Sequence, residues 1–283
     1  FQTKDFGQMS TIQITAINTI AVAGLTTKQI KGFDSAQIGN LTTEQMTVLS
    51  ASQLAKIENK DIDQGIVSSQ LAALSATQIA AFSTKQIGKL DSVQVSGFET
   101  EDLVSMGTNQ IKAFSTIAIM GLTTEQVNNL SAAQLASIGT KVFKLMTTEQ
   151  VETINTVAVA GLTTKQMVGL TSAQIGNLTT EQITAISASQ VAAIQTIDIV
   201  DGLASHQVAA MSATQIAGMT VKQIAKLDSL HASAIETEDI SSLTTAQIQK
   251  LATSSIVNMS TDQIVAMSAT QFAAMLTKQI SNL

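Results

Sequence analysis

The side chains with the clearest chemical potential are carboxylates that recur in two similar groups along the chain. Carboxylate oxygens are the ligands that Ca²⁺ prefers, so both groups are candidate calcium sites. The chain has no EF-hand loop and no Gly-Asp nonapeptide, and a helix-capping role accounts for Asp102 and Asp239 without a metal. We therefore expect no metal and no other cofactor, with calcium as the alternative. The candidate ligands are Asp61, Asp63, Glu99, Glu101, Asp102, Asp198, Asp201, Glu236, Glu238 and Asp239.

Other catalytic chemistry has few residues to use. The chain has two histidines, His206 and His231, and no cysteine, which leaves little for a metal centre or a thiol nucleophile. No motif joins either histidine to a nucleophile. We expect an exposed position for His206 and a helix-capping position for His231. The sequence thus predicts that the protein is not an enzyme.

The composition excludes further classes of protein. Pro, Trp, Tyr and Arg are absent, and 15 Lys against 21 acidic residues leave a net charge of −6. Such a chain lacks the arginines and large aromatic rings that neutralise phosphates and stack on bases, so we expect no nucleic-acid partner. A hydrophobic share of 45% is too high for a disordered chain, and no run approaches the ~20 apolar residues of a membrane span. No signal peptide is visible, and we expect Phe1 to begin an interior or processed piece.

The candidate residues are set in an octad, an eight-residue unit that repeats from Gln2 to the end of the chain. The fifth position is a large apolar residue in 34 of 35 units, and the eighth is apolar in all of them. The first position is Ser, Thr, Asp or Asn in 24 units, and the fourth is Gln in 24. Two units, Glu58 to Ile66 and Gln195 to Leu203, have nine residues. Their additional residue is either a phase correction or a tolerated loop insertion.

The octads form a longer repeat of 17 units, or 137 residues. Residues 17–25 return with one conservative change as residues 154–162, and Glu99 to Asp102 return as Glu236 to Asp239. We therefore predict one continuous repeat array over residues 1–283. Its first super-repeat covers 1–137, its second covers 138–274, and a third begins at 275–283.

Each octad carries a helix-start signal. In the segment from Leu41 to Met46, the Thr42 hydroxyl can accept from the Gln45 amide while the Gln45 side chain accepts from the Thr42 amide, and the two apolar residues form a hydrophobic staple. In a continuous helix, the apolar stripe would drift by about 80° per octad. The frequent Gly and Asn at the sixth and seventh positions suit helix ends. We predict an all-α solenoid of capped helices of about six residues, one per octad.

A β-solenoid is the alternative, since Thr, Ile and Val are abundant. Against it, the fifth and eighth positions would lie on opposite faces of a straight strand.

The pattern also indicates how many octads make one turn of the coil. Lys recurs at the third position at lags of three and seven octads, which together with the 17-octad repeat fits about 3.4 octads per superhelical turn.

Arrays of this motif resemble the low-complexity repeats of large bacterial secreted and cell-surface proteins of the adhesin kind. The resemblance is carried by Leu122-Thr123-Thr124-Glu125-Gln126-Val127 and by Leu130-Ser131-Ala132-Ala133-Gln134-Leu135, and by octads of the same type along the whole chain. It implies secretion and a structural role, and it assigns no catalytic residue.

Repetition over the full length predicts a structural protein. The coil ends of such an array can stack on copies of themselves unless they are capped. We expect an extracellular filament subunit or rod-like stalk that self-associates, has no membrane-spanning segment and can attach to a cell surface. The alternative is an adhesin module that binds a surface or glycan along one face of the solenoid, through clustered aromatic or charged residues.

Overall fold

A computed structural model describes residues 7–283, and this part of the chain is all-helical, with 34 helices of four to six residues and no strand. The all-α prediction is therefore confirmed for the described residues, and the β-solenoid alternative is wrong. The helices of the first half are Thr11–Thr15, Thr19–Ala23, Thr27–Ile30, Ser35–Gly39, Thr43–Thr47, Ala51–Leu54, Asn59–Gln64, Ser68–Ala72, Ala76–Ala80, Thr84–Ile87, Ser92–Ser96, Thr100–Ser105, Thr108–Lys112, Thr116–Met120, Thr124–Asn128, Ala132–Ser137 and Thr140–Phe143. Those of the second half are Thr148–Glu152, Thr156–Ala160, Thr164–Gly169, Ser172–Gly176, Thr180–Ala185, Ala188–Ala193, Thr196–Asp201, Ser205–Ala209, Ala213–Gly218, Val221–Ile224, Ser229–Ala234, Thr237–Ile240, Thr245–Lys250, Thr253–Val257, Thr261–Val265, Ala269–Ala274 and Thr277–Ile280.

The helices begin where the capping boxes predict. At Thr42 the backbone is extended, with φ −69° and ψ 161°, and the helix starts at the next residue. The Gln45 amide donates to the Thr42 hydroxyl over 3.2 Å, and the Thr42 amide donates to Gln45 Oε1 over 2.8 Å. Both bonds satisfy amides that have no partner within a helix of five residues.

The helices end without the left-handed residue that often closes a helix. No described residue has a positive φ. Asn40, for example, closes its helix at φ −99° and ψ 2°, and its side-chain Nδ2 donates to the Ala36 carbonyl over 2.8 Å. The Gly and Asn residues therefore lie at helix ends as predicted, but backbone handedness is not the reason for them.

The core of the coil is made by two residues of each octad. Met46 at the fifth position and Leu49 at the eighth are 0% and 2% exposed, and this pattern recurs along the described chain. Each helix is too short to be stable alone, so most of its stability comes from burying these two side chains against neighbouring turns.

The chain divides into two compact units, residues up to Met146 and Thr147–Leu283. Within each unit, a helix packs against the helices three octads before and after it. Thr27–Ile30 packs on Ala51–Leu54 in the first unit, and Ala188–Ala193 packs on Ala213–Gly218 in the second. Hydrogen bonds between successive turns join residues separated by 26 to 32 positions. A turn thus holds between three and four octads, in agreement with the expected 3.4.

Candidate functional site: the glutamine ladder between turns

The fourth position of the octad is a buried polar site that joins one turn of the coil to the next. Gln45 is only 2% exposed. Its Oε1 caps its own helix, while its Nε2 donates to the Ile14 carbonyl over 2.8 Å and to the Ile17 carbonyl over 2.7 Å. These carbonyls lie at the C-terminal end of a helix in the preceding turn and have no partner within that helix. One amide side chain therefore closes a helix start and a helix end at once.

The same arrangement recurs through both units, and we call it the glutamine ladder. Each member donates from Nε2 to carbonyls of the preceding turn, and all but one of them are buried. An amide nitrogen carries two hydrogens, so it can serve two carbonyls at once. The members are Gln37, Gln45, Gln53, Gln70, Gln78, Gln86, Gln94, Gln110, Gln126 and Gln134 in the first unit, and Gln182, Gln190, Gln207, Gln215, Gln223, Gln247, Gln263, Gln271 and Gln279 in the second.

Sequence reasoning assigned these glutamines to capping boxes and missed their second role. A signal was present, because Glu serves equally well at that position of a capping box. No octad has Glu at its fourth position. The preference for Gln over Glu indicates a role for the amide N–H groups, and the five octads with Asp at this position lack those donors.

Two other side chains substitute for Gln in the ladder. His231 Nε2 lies 2.7 Å from the Leu203 carbonyl, and Ser255 Oγ donates to the Leu227 carbonyl over 2.9 Å. The His231 backbone amide donates to Asp228 Oδ1 over 3.0 Å, which is the main reason why the pKa of Asp228 is lowered. His231 Nδ1 is 2.8 Å from the same oxygen without hydrogen-bond geometry, so that contact is electrostatic. The expected capping position of His231 is confirmed, and His206 is exposed as expected.

Two of the acidic residues at the fourth position pair with a serine of the neighbouring turn. Asp61 Oδ1 accepts from Ser35 Oγ over 2.8 Å, and Asp198 Oδ1 accepts from Ser172 Oγ over the same distance. Both aspartates lie in the nine-residue units and are buried. Burial raises the pKa of Asp61, and the Ser35 hydrogen bond partly offsets this effect.

The other two acidic fourth positions within residues 7–283 have no such serine. Asp102 is 4% exposed, and its Oδ2 has no hydrogen-bond partner. Burial is the largest cause of its raised pKa, and the negative charges of Glu99 and Glu101 add to it. Burial also raises the pKa of Asp239, which occupies the corresponding place in the second super-repeat. A backbone hydrogen bond from Ala213, in the preceding turn, partly offsets the effect at Asp239.

The remaining calcium candidates are exposed: Asp63, Glu99, Glu101, Asp201, Glu236 and Glu238. The structure does not gather the candidates into a cage. Among residues 7–283, no three acidic or histidine side chains lie close enough together to hold a metal ion. Of the four buried candidates, Asp61 and Asp198 already use one oxygen each to bind a serine hydroxyl.

Glycines allow successive turns to approach closely at the nine-residue units. A Cβ built on Gly39 would lie 2.6 Å from the Gly65 carbonyl oxygen, and one on Gly176 would lie 2.8 Å from that of Gly202. Distances under 3.0 Å require the backbone to move. The additional residue of each long unit therefore lies at a tight contact between turns.

The described chain contains no helix that is long and apolar enough to cross a membrane.

Short capped helices that stack through a buried side-chain ladder define a class of protein, the α-solenoid repeat proteins. Within it, the model of the ALTTAQ repeat family matches residues 64–98, 95–132, 146–180 and 232–269, together half of the chain. The chain belongs to the ALTTAQ repeat family. No curated protein matches its sequence.

Proposed function

We propose that the chain is a structural protein, the subunit of a secreted extracellular filament or the rod of a cell-surface stalk, and that it has no catalytic activity. The carrying observation is that each turn has two complementary sides. Gln94 donates to the Ile62 and Ile66 carbonyls of the turn before, while the Val95 and Phe98 carbonyls of its own octad accept from the turn after. Such a surface can add further turns without a change in chemistry.

The last turn of the second unit exposes apolar side chains of a kind that interior turns bury. Phe272 and Ile280 occupy fifth positions and are 41% and 46% exposed, whereas fifth-position side chains of interior turns are buried. A coil with the same octad would cover them, whether it continues this chain or belongs to another copy. Burial of such apolar area favours the stacked state by about 25 cal/mol per Å².

The positions of the aromatic residues favour this role over the adhesin alternative. Aromatic anchors of a binding face must be exposed. Five of the six described phenylalanines are buried in the core: Phe33, Phe82, Phe98, Phe114 and Phe143. The resemblance to secreted surface repeats supports the extracellular location, which fractionation of the source cells will test.

Negative-stain electron microscopy over a range of protein concentrations tests polymerisation. We expect uniform filaments that lengthen with concentration. Phe272→Ser with Ile280→Ser should shorten them, because both substitutions remove apolar area from the stacking surface. Ile117→Ser is the matched control, since this apolar residue is exposed within the first unit. Separate short rods at every concentration would refute polymerisation and leave the rod of a cell-surface stalk as the proposed function.

A further inference from the structure

Most of the described lysines of the first unit lie in or beside helices that are stacked on one another. Thr27–Ile30 packs on Ala51–Leu54, and Thr84–Ile87 packs on Thr108–Lys112. The two pairs are joined by Gln86, which donates to the Leu54 and Ile57 carbonyls. The lysines in and beside these helices and in the adjoining long unit are exposed, and we call them the basic face: Lys28, Lys31, Lys56, Lys60, Lys85, Lys89 and Lys112.

A second column of stacked helices in the same unit carries acidic residues and no lysine. Thr100–Ser105 packs on Thr124–Asn128, and Gln126 joins the latter to Ser92–Ser96 through the Val95 and Phe98 carbonyls. These octads follow lysine-bearing octads by one or two places, so they lie about a third to a half of a turn further round the coil. The exposed residues of this acidic face are Asp91, Glu99, Glu101 and Glu125.

The second unit has the same two faces. Val221–Ile224 packs on Thr245–Lys250, and Gln279 joins the next lysine-bearing octad to the Ile248 and Leu251 carbonyls. Thr237–Ile240 packs on Thr261–Val265 among acidic residues. The basic face consists of Lys165, Lys222, Lys226, Lys250 and Lys278, and the acidic face of Glu149, Glu152, Glu181, Glu236, Glu238 and Asp262.

The two signs of charge are largely kept apart within a unit. On the basic face of the first unit, Lys31 and Lys60 both pair with Glu58, at 3.8 and 3.5 Å. Lys85, Lys89 and Lys112 have no ion pair with any described residue and remain available to a partner. Mixing both signs on every face would give more internal pairs, so the segregation needs an external reason.

We propose that the basic face of one copy docks side by side on the acidic face of a second copy. The charged residues of both faces repeat at the spacing of the turns of the coil. A row of lysines on one copy therefore meets a row of carboxylates of equal spacing on the next. Each exposed ion pair is weak, but many pairs held in register act together. The two faces of a pair differ, so the interface is heterologous and leaves a free face on each copy. Lateral growth is the result.

A second copy fits the basic face better than a polyanion does. The chain has a net charge of −6 and no Arg, Trp or Tyr, so a polyanion meets overall repulsion and no stacking residues. A second copy satisfies the basic and acidic faces together. This inference rests on the proposed structural role but uses the flanks of the coil, whereas end-to-end stacking uses its turns.

Sedimentation velocity over a range of ionic strength tests the proposal. The Debye length falls from about 30 Å at 0.01 M salt to about 3 Å at 1 M. We expect the wild-type chain to associate at low salt and to lose association at least about tenfold at high salt. Circular dichroism at each salt concentration confirms that the helices persist.

Charge reversal gives the sharper test. A basic-face variant and an acidic-face variant should each associate less than the wild type when alone, because the reversed residues of one face then carry the sign of the other face, and a mixture of the two variants should associate again. Replacement of the same lysines by Arg retains their charge and is the matched control. The reversals are Lys85→Glu, Lys89→Glu, Lys112→Glu, Lys222→Glu, Lys226→Glu and Lys250→Glu in one variant, and Glu99→Lys, Glu101→Lys, Glu125→Lys, Glu152→Lys, Glu236→Lys and Glu238→Lys in the other.

Two results would overturn the proposal. One is a wild-type chain that stays monomeric at low salt but binds heparin through the basic face, which would identify a polyanion as the partner. The other is association that neither salt nor charge reversal alters. Electron microscopy distinguishes lateral docking from end stacking. Loss of lateral docking narrows the assemblies, whereas loss of end stacking shortens them.

Discussion

Gln126→Glu tests whether the glutamine ladder holds the turns together. The glutamate keeps the capping bond, because the Thr123 amide donates to Gln126 Oε1 over 2.8 Å and a carboxylate accepts equally well. It loses both N–H donors, which serve the Val95 carbonyl over 3.1 Å and the Phe98 carbonyl over 2.7 Å. A negative oxygen then faces two carbonyl oxygens in a site that is 2% exposed.

The expected cost follows from these contacts. Two hydrogen bonds at about 1 kcal/mol each account for about 2 kcal/mol. The carboxylate is also left buried without a hydrogen-bond donor from the neighbouring turn. Leaving a buried charge without its partner typically costs about 3–5 kcal/mol of stability. We expect Gln126→Glu to lower the local unfolding free energy by about 3–5 kcal/mol at pH 7.

Amide hydrogen exchange in the octads around Gln126 is the appropriate assay, because repeat arrays can open locally rather than in one step. Glu125→Gln is the matched control, since Glu125 is the exposed neighbour in the same helix and should change the opening free energy by less than about 0.5 kcal/mol. Equal opening free energies for the two variants would refute the role of the ladder.

The pH dependence of Gln126→Glu provides an independent test of the same reasoning. Burial raises the pKa of the new carboxyl in the folded state above its unfolded value of about 4.3. The folded state then binds the proton more tightly, so the lost stability returns as the pH falls through the folded-state pKa. The protonated group can also donate to the Phe98 carbonyl. A difference from the wild type that is constant between about pH 4 and pH 7 would contradict this account.

Three further predictions concern the turns and the acidic positions. Gly39→Ala should destabilise the chain by about 1–3 kcal/mol, because the new Cβ lies 2.6 Å from a backbone oxygen. Gly139→Ala is the control and should not destabilise it, since no atom lies within 4 Å of that Cβ. Equal melting temperatures of the two variants would contradict this prediction. Asp102→Asn should stabilise the chain on the order of 1 kcal/mol at pH 7. Burial raises the pKa of Asp102, so its ionised form opposes folding above that pKa and the gain should vanish on acidification; a pH-independent gain would count against burial as the cause. Ca²⁺ should leave the melting temperature unchanged, because the Asp61 carboxylate is already held by Ser35, and a rise of several degrees would restore the calcium hypothesis.

The sequence was sufficient for features that depend on neighbouring residues. The capping box at Thr42 and Gln45 involves residues three positions apart, and its two hydrogen bonds are present in the structure. The fifth position lies within the helix and the eighth follows it, and both are buried, as their apolar character predicts. These local rules repeat without interruption, so they determine the fold class and the helix boundaries to within a residue or two.

Contacts between turns could not be predicted in the same way, because they depend on the pitch of the coil. Gln45 reaches the carbonyl of Ile17, 28 residues earlier, and no local rule identifies that acceptor. The periodicity of the sequence came close to predicting these contacts, because a turn of 3.4 octads places octads that are three or four units apart on top of one another. The preference for Gln over Glu at the fourth position then indicates that an amide group lies between them. In a repeat protein, the residue types that a position excludes are thus evidence about the neighbouring turn, whereas those that it accepts describe mainly the local helix.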